Sequence, residues 1–150
     1  MSWNTKTMRF MEEKGFYGQV VEHFCTFTNR RKDFLGFADA IFLNPSAKEK
    51  TIFVQLTSRS NISSRWHKIS DVEVKNKKTE EFEHNKVRDN AKLALSCGNP
   101  IWIIGWDSDK MGDRKGKIRK IFLEKDELQF VDEEIVWEKT KNAKDKKVGA

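Results

Sequence analysis

The chain has 150 residues, of which 37% are hydrophobic and 35% are charged. These proportions indicate one soluble globular domain, and a chain of this length leaves little room for a second. No apolar run reaches the roughly 20 residues that span a bilayer, and the N-terminus lacks a signal-peptide core. We therefore expect no membrane partner and a cytoplasmic protein, in the host cytoplasm if it is viral. Cys25 and Cys97 have no CxxC or Cys/His context, which argues against a structural zinc site.

The net charge of +6 permits a nucleic-acid partner without demanding one. The excess is concentrated early, because the first 70 residues carry 11 basic and 6 acidic side chains. A second basic cluster spans residues 110–120 and includes Lys115 and Lys117. Its pattern is equally consistent with a solvated hairpin loop and with a loop that contacts phosphate.

In chain order, hydrophobic periodicity and turn residues predict alternating elements. The first part is predicted as a helix over residues 5–14, a strand over 16–24 (or a helix, since the window is short), a basic connection over 25–35, and strands over 36–43 and 51–57. The second part begins with a predicted helix from Ser60 or Asn61, which carries Ile62, Trp66 and Ile69, followed by a loop over 71–78. A second helix is predicted to open with Thr79 and Phe82, and a strand is predicted over 101–106. The last predicted element is a hairpin in which the strands 118–123 and 128–131 are joined by a turn at 124–127. This order predicts an α/β fold around a mixed sheet.

Two strands carry polar side chains where apolar ones would be less costly to bury. Asp39 lies in the strand over residues 36–43, while Gln55 and Thr57 share one face of the strand over 51–57. A carboxylate and an amide are expensive to bury unless they are hydrogen-bonded or bind a cation. Either role therefore remains open for these positions.

With these polar positions in this order of elements, the chain resembles the PD-(D/E)XK nuclease superfamily. Within it, the similarity is to small phage-type and bacterial proteins like Holliday-junction resolvases and restriction endonucleases. The resemblance rests on residues 31–39, 54–58, 61, 65–69 and 105–106, and it covers roughly residues 3–106. It implies a restriction-endonuclease-like α-β-β-β-α-β core flanked by helices, followed here by a C-terminal β-hairpin. The expected organisation is one nuclease-like domain over residues 1–138 and a basic flexible tail over 139–150.

The resemblance also implies a metal site. In such nucleases an Asp and the Glu of an E-x-K motif bind Mg²⁺ or Mn²⁺, the carbonyl between Glu and Lys completes the shell, and the lysine stabilises the nucleophile. Asp39 matches the metal-binding Asp, Gln55 takes the Glu position, Leu56 supplies the carbonyl, and Thr57 takes the Lys position. Gln55 keeps an oxygen that can ligate a cation, whereas the Thr57 hydroxyl cannot replace an ammonium charge.

Other side chains could compensate for the altered motif. Lys68 and Arg65, three residues apart on the following helix, could supply the cation, and Glu22, or Glu12 or Glu13, could supply a second acid. Each of these charges could instead be an ordinary solvated side chain.

The run Arg30-Arg31-Lys32 precedes Asp39 and is either an exposed loop or a phosphate grip, since cations hold phosphate where an acid holds metal. The leading hypothesis is a Mg²⁺-dependent endonuclease-like protein that acts on DNA. Branched DNA is a candidate substrate, and a homodimer that cuts both strands is a candidate assembly. In that hypothesis Arg65, Lys115 and Lys117 also contact DNA. The alternative is a catalytically inactive nuclease-fold module that binds nucleic acid or a protein partner.

Overall fold

A mixed sheet dominates the computed structural model, which describes residues 2–107 and 114–137. The helices within these residues are α1 (Trp3–Glu13), α2 (Ile62–Ser70) and α3 (Lys86–Ser96). The strands are β1 (Tyr17–Val20), β2 (His23–Cys25), β3 (Arg30–Lys32), β4 (Ala40–Leu43), β5 (Thr51–Ser58), β6 (Glu73–Lys75), β7 (Phe82–His84), β8 (Ile101–Trp106), β9 (Lys115–Glu124) and β10 (Glu127–Val136). None of the described helices is long and apolar enough to cross a membrane. The predicted tail over residues 139–150 lies outside the described residues.

Among the described residues the large sheet has six strands in the order β1-β4-β5-β8-β9-β10. Neighbouring strands are antiparallel except for β5 and β8, which are parallel. A parallel pair needs a long crossover connection, and α2, the β6–β7 hairpin and α3 provide it. The predicted α/β fold around a mixed sheet is therefore confirmed.

Each face of the sheet is covered by helices. One apolar cluster joins α1 to the sheet and includes Phe10, Phe42 and Trp106. The other cluster joins α2 and α3 to the opposite face and includes Ile62 and Ala91. Both faces of β8 are therefore buried, as its nearly continuous apolar sequence predicts.

The side chains of β5 alternate between these two faces, as its sequence predicts. Val54 belongs to the cluster under α1, whereas Phe53 belongs to the cluster under α2 and α3. Gln55 and Thr57 follow Phe53 at two-residue spacing, so they face the α2–α3 side of the sheet. The polar positions of β5 thus lie on the face of the sheet that is also covered by α2, the helix that carries Arg65 and Lys68.

The single predicted strand over residues 16–24 is wrong. The backbone N–H groups of Val21 and Glu22 both donate to the Asp39 carbonyl oxygen, at 2.8 and 3.3 Å, which ends β1 at Val20. The chain then leaves the large sheet as the β2–β3 hairpin. The predicted connection over residues 25–35 therefore contains a strand.

The predicted loop over residues 71–78 and the helix start at Thr79 or Phe82 are also wrong. These residues form the β6–β7 hairpin, in which the Asn76 side chain accepts from the backbone N–H of Lys78 and Thr79. Helix α3 begins only at Lys86.

The C-terminal hairpin is longer than predicted. Strands β9 and β10 pair along ten residues each and turn through Lys125 and Asp126, both of which have positive φ. Positive φ at both central residues is typical of the tight turn whose twist matches the flanking strands. The predicted four-residue turn therefore shortens to two residues, and residues 135–136 extend β10.

Asn85 fixes the start of α3. Its side-chain oxygen accepts from the Val87 N–H at 3.1 Å, and its amide nitrogen donates to the carbonyls of Lys68 and Asp71 at 2.9 and 2.8 Å. The side chain is buried, so these three bonds join the end of α2 to the beginning of α3.

Replacing Asn85 with alanine should lower the free energy of unfolding by about 2 to 3 kcal/mol, because a helix cap is lost and two carbonyls lose their partner. The matched control is Ser2→Ala, which removes the exposed cap of α1 and should cost about 1 kcal/mol or less. Urea unfolding of the three proteins measures both values. Equal losses in the two variants would contradict this role of Asn85.

Candidate functional site

Asp39 is attached to β5 by both its backbone and its side chain. Its N–H donates to the Val54 carbonyl at 2.9 Å, and its Oδ2 accepts from the Leu56 N–H at 2.9 Å. Continuing the β4–β5 register by one residue places Asp39 opposite Gln55. The predicted acid and the predicted amide are therefore direct cross-strand neighbours.

The environment of Asp39 disfavours its charged form. The side chain is only 8% exposed, and this burial raises the pKa of the carboxyl to about 6, against the opposing effect of the Leu56 N–H. The negative charges of Glu22 and Asp33 raise the pKa further, and the positive charge of Arg65 lowers it. Three charged side chains thus act on Asp39 electrostatically.

Gln55 is 2% exposed, and its Oε1 has no hydrogen-bond partner in residues 2–107 and 114–137. A buried carbonyl oxygen without a partner costs about 1 to 3 kcal/mol. Thr57, the next side chain on the same face, is also buried and carries no charge. The strand therefore presents an unsatisfied oxygen opposite Asp39 and a neutral hydroxyl beyond it.

Positively charged side chains pair with the acids around Asp39. Arg31 lies 3.7 Å from Glu22, and Lys68 lies 4.0 Å from Asp33. Arg65 has a buried Nε without a hydrogen-bond partner in the described parts of the chain. Glu22, Asp33 and Arg65 therefore act on Asp39 directly, and the predicted residues Arg31 and Lys68 are connected to it through their acidic partners.

Asp33 is the site residue that the sequence analysis missed. It follows the basic run of β3 directly and is half-buried, with 21% of its side chain exposed. The available signal was an acid immediately after three cations and six residues before Asp39. The sequence does not show that this acid acts on Asp39, because the β2–β3 hairpin brings the chain back towards Asp39 only in the folded protein.

The predicted phosphate-binding residues Arg30, Arg31 and Lys32 form β3 and are all exposed. Together with Thr28, Asp33 and Gly36 they line an open depression of about 620 Å³. The depression adjoins the acids around Asp39 through Asp33. This surface is the most basic part of the site.

Lys115 and Lys117 lie farther away, on β9, with β8 between them and β5. Lys117 is 3.4 Å from an Asp132 carboxylate oxygen, whereas Lys115 is exposed at the start of the strand. The paired positions Thr57, Gly105 and Lys117 form one row across three strands. The remaining part of the predicted basic loop, residues 108–113, lies outside the described residues.

The donors that meet at Asp39 suit a hard cation. Mg²⁺ and Mn²⁺ prefer oxygen ligands such as carboxylates and amide carbonyls, and Asp39 and Gln55 bring one of each to cross-strand neighbouring positions. The nearby charges of Glu22 and Asp33 favour a cation as well. Within the described residues, no group of three or more His, Cys, Asp or Glu side chains is arranged to hold a metal ion.

Comparisons with protein-family models, with curated proteins and with solved structures found no significant match to this chain.

The raised pKa of Asp39 predicts a pH-dependent stability in metal-free buffer. Because the folded protein binds this proton more tightly than the unfolded chain, the carboxyl increasingly opposes folding as the pH rises from about 4 through about 6. The full effect, near neutral pH, is about 3 kcal/mol. Urea unfolding should therefore show Asp39→Asn gaining about this much stability relative to the original protein between acidic and neutral pH. A stability difference that is constant across this range would contradict the shifted pKa.

Proposed function

We propose that the chain is a metal-dependent endonuclease-like protein that hydrolyses DNA phosphodiester bonds. The observation that carries this proposal is the buried Gln55 Oε1, which lacks a hydrogen-bond partner in the described residues and lies on the strand position opposite Asp39. A buried polar atom of this kind normally binds a protein group, an ordered water or an ion. A divalent cation bound between Asp39 and Gln55 would satisfy it.

The order of elements supports a restriction-endonuclease-like core as part of this proposal. Helix α1 is followed by the antiparallel strands β1, β4 and β5, and then by a helical crossover to the parallel strand β8. This is the α-β-β-β-α-β order that the sequence resemblance implies. Asp39, directly before β4 (the predicted strand over residues 36–43 begins only at Ala40), and Gln55 on β5 then take the positions of the two metal-binding side chains.

In this proposal Asp39, Gln55 and the Leu56 carbonyl hold the Mg²⁺ or Mn²⁺, with Glu22 as an additional acid. When bound, the cation polarises the phosphate and lowers the pKa of the attacking water. The Leu56 N–H keeps the Asp39 carboxylate oriented, since it donates to Oδ2. Asp33 acts on the site through its negative charge.

Positive charge reaches the site from the helix and the hairpin rather than from β5. Arg65 and Lys68 on α2 replace the ammonium group that Thr57 does not provide, and they stabilise negative charge on the phosphate. Arg30, Arg31 and Lys32 hold the flanking phosphates in the basic depression. Lys115 and Lys117 on β9 would contact DNA at a second place, and a homodimer would bring a second site to the other DNA strand.

Plasmid nicking and cleavage of four-way junction DNA in Mg²⁺ or Mn²⁺ test this function. Asp39→Ala should reduce the cleavage rate about a hundredfold or more, because the cation and its charge stabilisation are lost. Gln55→Glu should cleave at least as fast as the original protein, since it restores a second ligating charge. The matched control is Asp89→Ala, which removes an exposed acid on α3 and should leave cleavage unchanged. Equal cleavage by the original protein and Asp39→Ala would refute the assignment of the site.

A second function is favoured by one observation, the buried and uncharged Thr57 at the position of the motif lysine. In that case the chain is a catalytically inactive nuclease-fold module that binds nucleic acid or a protein partner. Tight DNA binding without cleavage by either the original protein or Gln55→Glu would support this function over the first.

A further inference from the structure

The β2–β3 hairpin places an aromatic side chain fully in solvent. Its turn spans residues 26–29, and Phe27 within that turn is 99% exposed. Asn29 closes the turn with a positive φ of 54°, a conformation that asparagine tolerates. The hairpin thus presents a benzyl ring at its tip with both faces open.

Packing within the hairpin does not account for this ring. β2 and β3 are joined by three residue pairs, and Phe24 in the middle of β2 is also about half exposed. No residue in the described parts of the chain covers Phe27, so it adds no burial there. A large apolar side chain at such a tip is a candidate contact for a flat apolar partner.

The position of the hairpin ties its tip to the candidate site. Glu22 lies directly before β2 and Asp33 directly after β3, so the two ends of the hairpin are the two acids that act on Asp39. Phe27 comes five positions after Glu22, a reach of at most about 16 Å at the rise of an extended strand. At about 3.4 Å per base step along DNA, the tip lies within about five steps of Glu22.

The positive charges next to the Phe27 ring indicate a nucleic-acid partner. The exposed side chains of Arg30, Arg31 and Lys32 follow the turn directly and line the basic depression. A positively charged surface that tracks a backbone, combined with an aromatic side chain, is the arrangement by which proteins bind unpaired nucleic-acid bases.

We infer that Phe27 stacks on an unpaired or weakly stacked DNA base while β3 holds the neighbouring phosphates. The inference rests on the proposed action on DNA and gives it a substrate class: DNA with a gap, a bulge or a branch point. In a continuous duplex both faces of each base are covered by its neighbours, and a ring can enter only by unstacking a base step, whereas a gap, a bulge or a branch point offers a base face without that cost.

Binding to two DNA molecules in a chelating buffer, where no metal-dependent cleavage occurs, tests the inference. One is a duplex with a short gap that carries a fluorescent adenine analogue in the unpaired stretch, and the other is the same sequence fully paired. Phe27→Ala should weaken binding to the gapped DNA about tenfold and abolish quenching of the analogue, with less than about a twofold change on paired DNA. Phe27→Trp should retain both properties of the original protein.

The matched control is Phe82→Ala, because Phe82 is also highly exposed, at 69%, and lies on the other small hairpin. It should bind both DNA molecules like the original protein. Unchanged gapped-DNA binding by Phe27→Ala, an equal loss on both DNA molecules, or no preference of the original protein for the gap would each overturn the inference. Failure of the nuclease proposal is seen separately, as equal Mg²⁺-dependent cleavage with and without the Asp39 carboxylate.

Discussion

The backbone and side chain of Asp39 hold together the part of the molecule on which the site depends. Its N–H and Oδ2 bind β5 through Val54 and Leu56, and its carbonyl accepts from Val21 and Glu22 just beyond β1. One residue therefore fixes the register of β4 against β5, ends β1, and directs the chain into the β2–β3 hairpin. The same contacts bury the carboxyl and bring Glu22 close to it. The contacts of Asp39 therefore determine both the path of the chain around it and the electrostatic environment of its carboxyl.

The sequence predicted those parts of the fold that depend on local periodicity. Alternation in β5 correctly assigned Gln55 and Thr57 to one face, and the apolar run of β8 correctly indicated a strand buried on both sides. The errors arose where a distant group decides the local structure. The break between β1 and β2 depends on the Asp39 carbonyl, and the start of α3 depends on bonds from Asn85 to the end of α2. No pattern within a short window contains that information.

The candidate site follows the same division. Asp39 and Gln55 were recognisable as polar residues in apolar strands, and Arg65 and Lys68 as cations on the following helix. Asp33 was not recognisable, because its proximity to Asp39 is created by the returning hairpin. Which acids act on Asp39 is therefore decided by the tertiary fold, whereas the pair of Asp39 and Gln55 is already visible in the sequence.

The amide at position 55 has a physical consequence in this setting. Asp39 already experiences the negative charges of Glu22 and Asp33, and its pKa is raised to about 6. A glutamate at position 55 would add repulsion to the metal-free protein, whereas glutamine offers a ligating oxygen without a further charge. The cost is weaker attraction for a cation and one buried oxygen without a hydrogen-bond partner in the described residues. In the proposed cation site, glutamine therefore lowers the repulsion in the metal-free protein at the expense of affinity for the ion.

A Mn²⁺ titration of Gln55→Met beside the original protein, followed by electron paramagnetic resonance, tests the central claim most directly. Methionine matches the length of glutamine but removes the unsatisfied oxygen, so the metal-free variant should be as stable as the original protein or more stable. Its affinity for Mn²⁺ should nevertheless fall about tenfold or more, since a ligand is lost. Unchanged Mn²⁺ affinity in Gln55→Met, or no Mn²⁺ binding by the original protein, would contradict a cation site at Asp39 and Gln55.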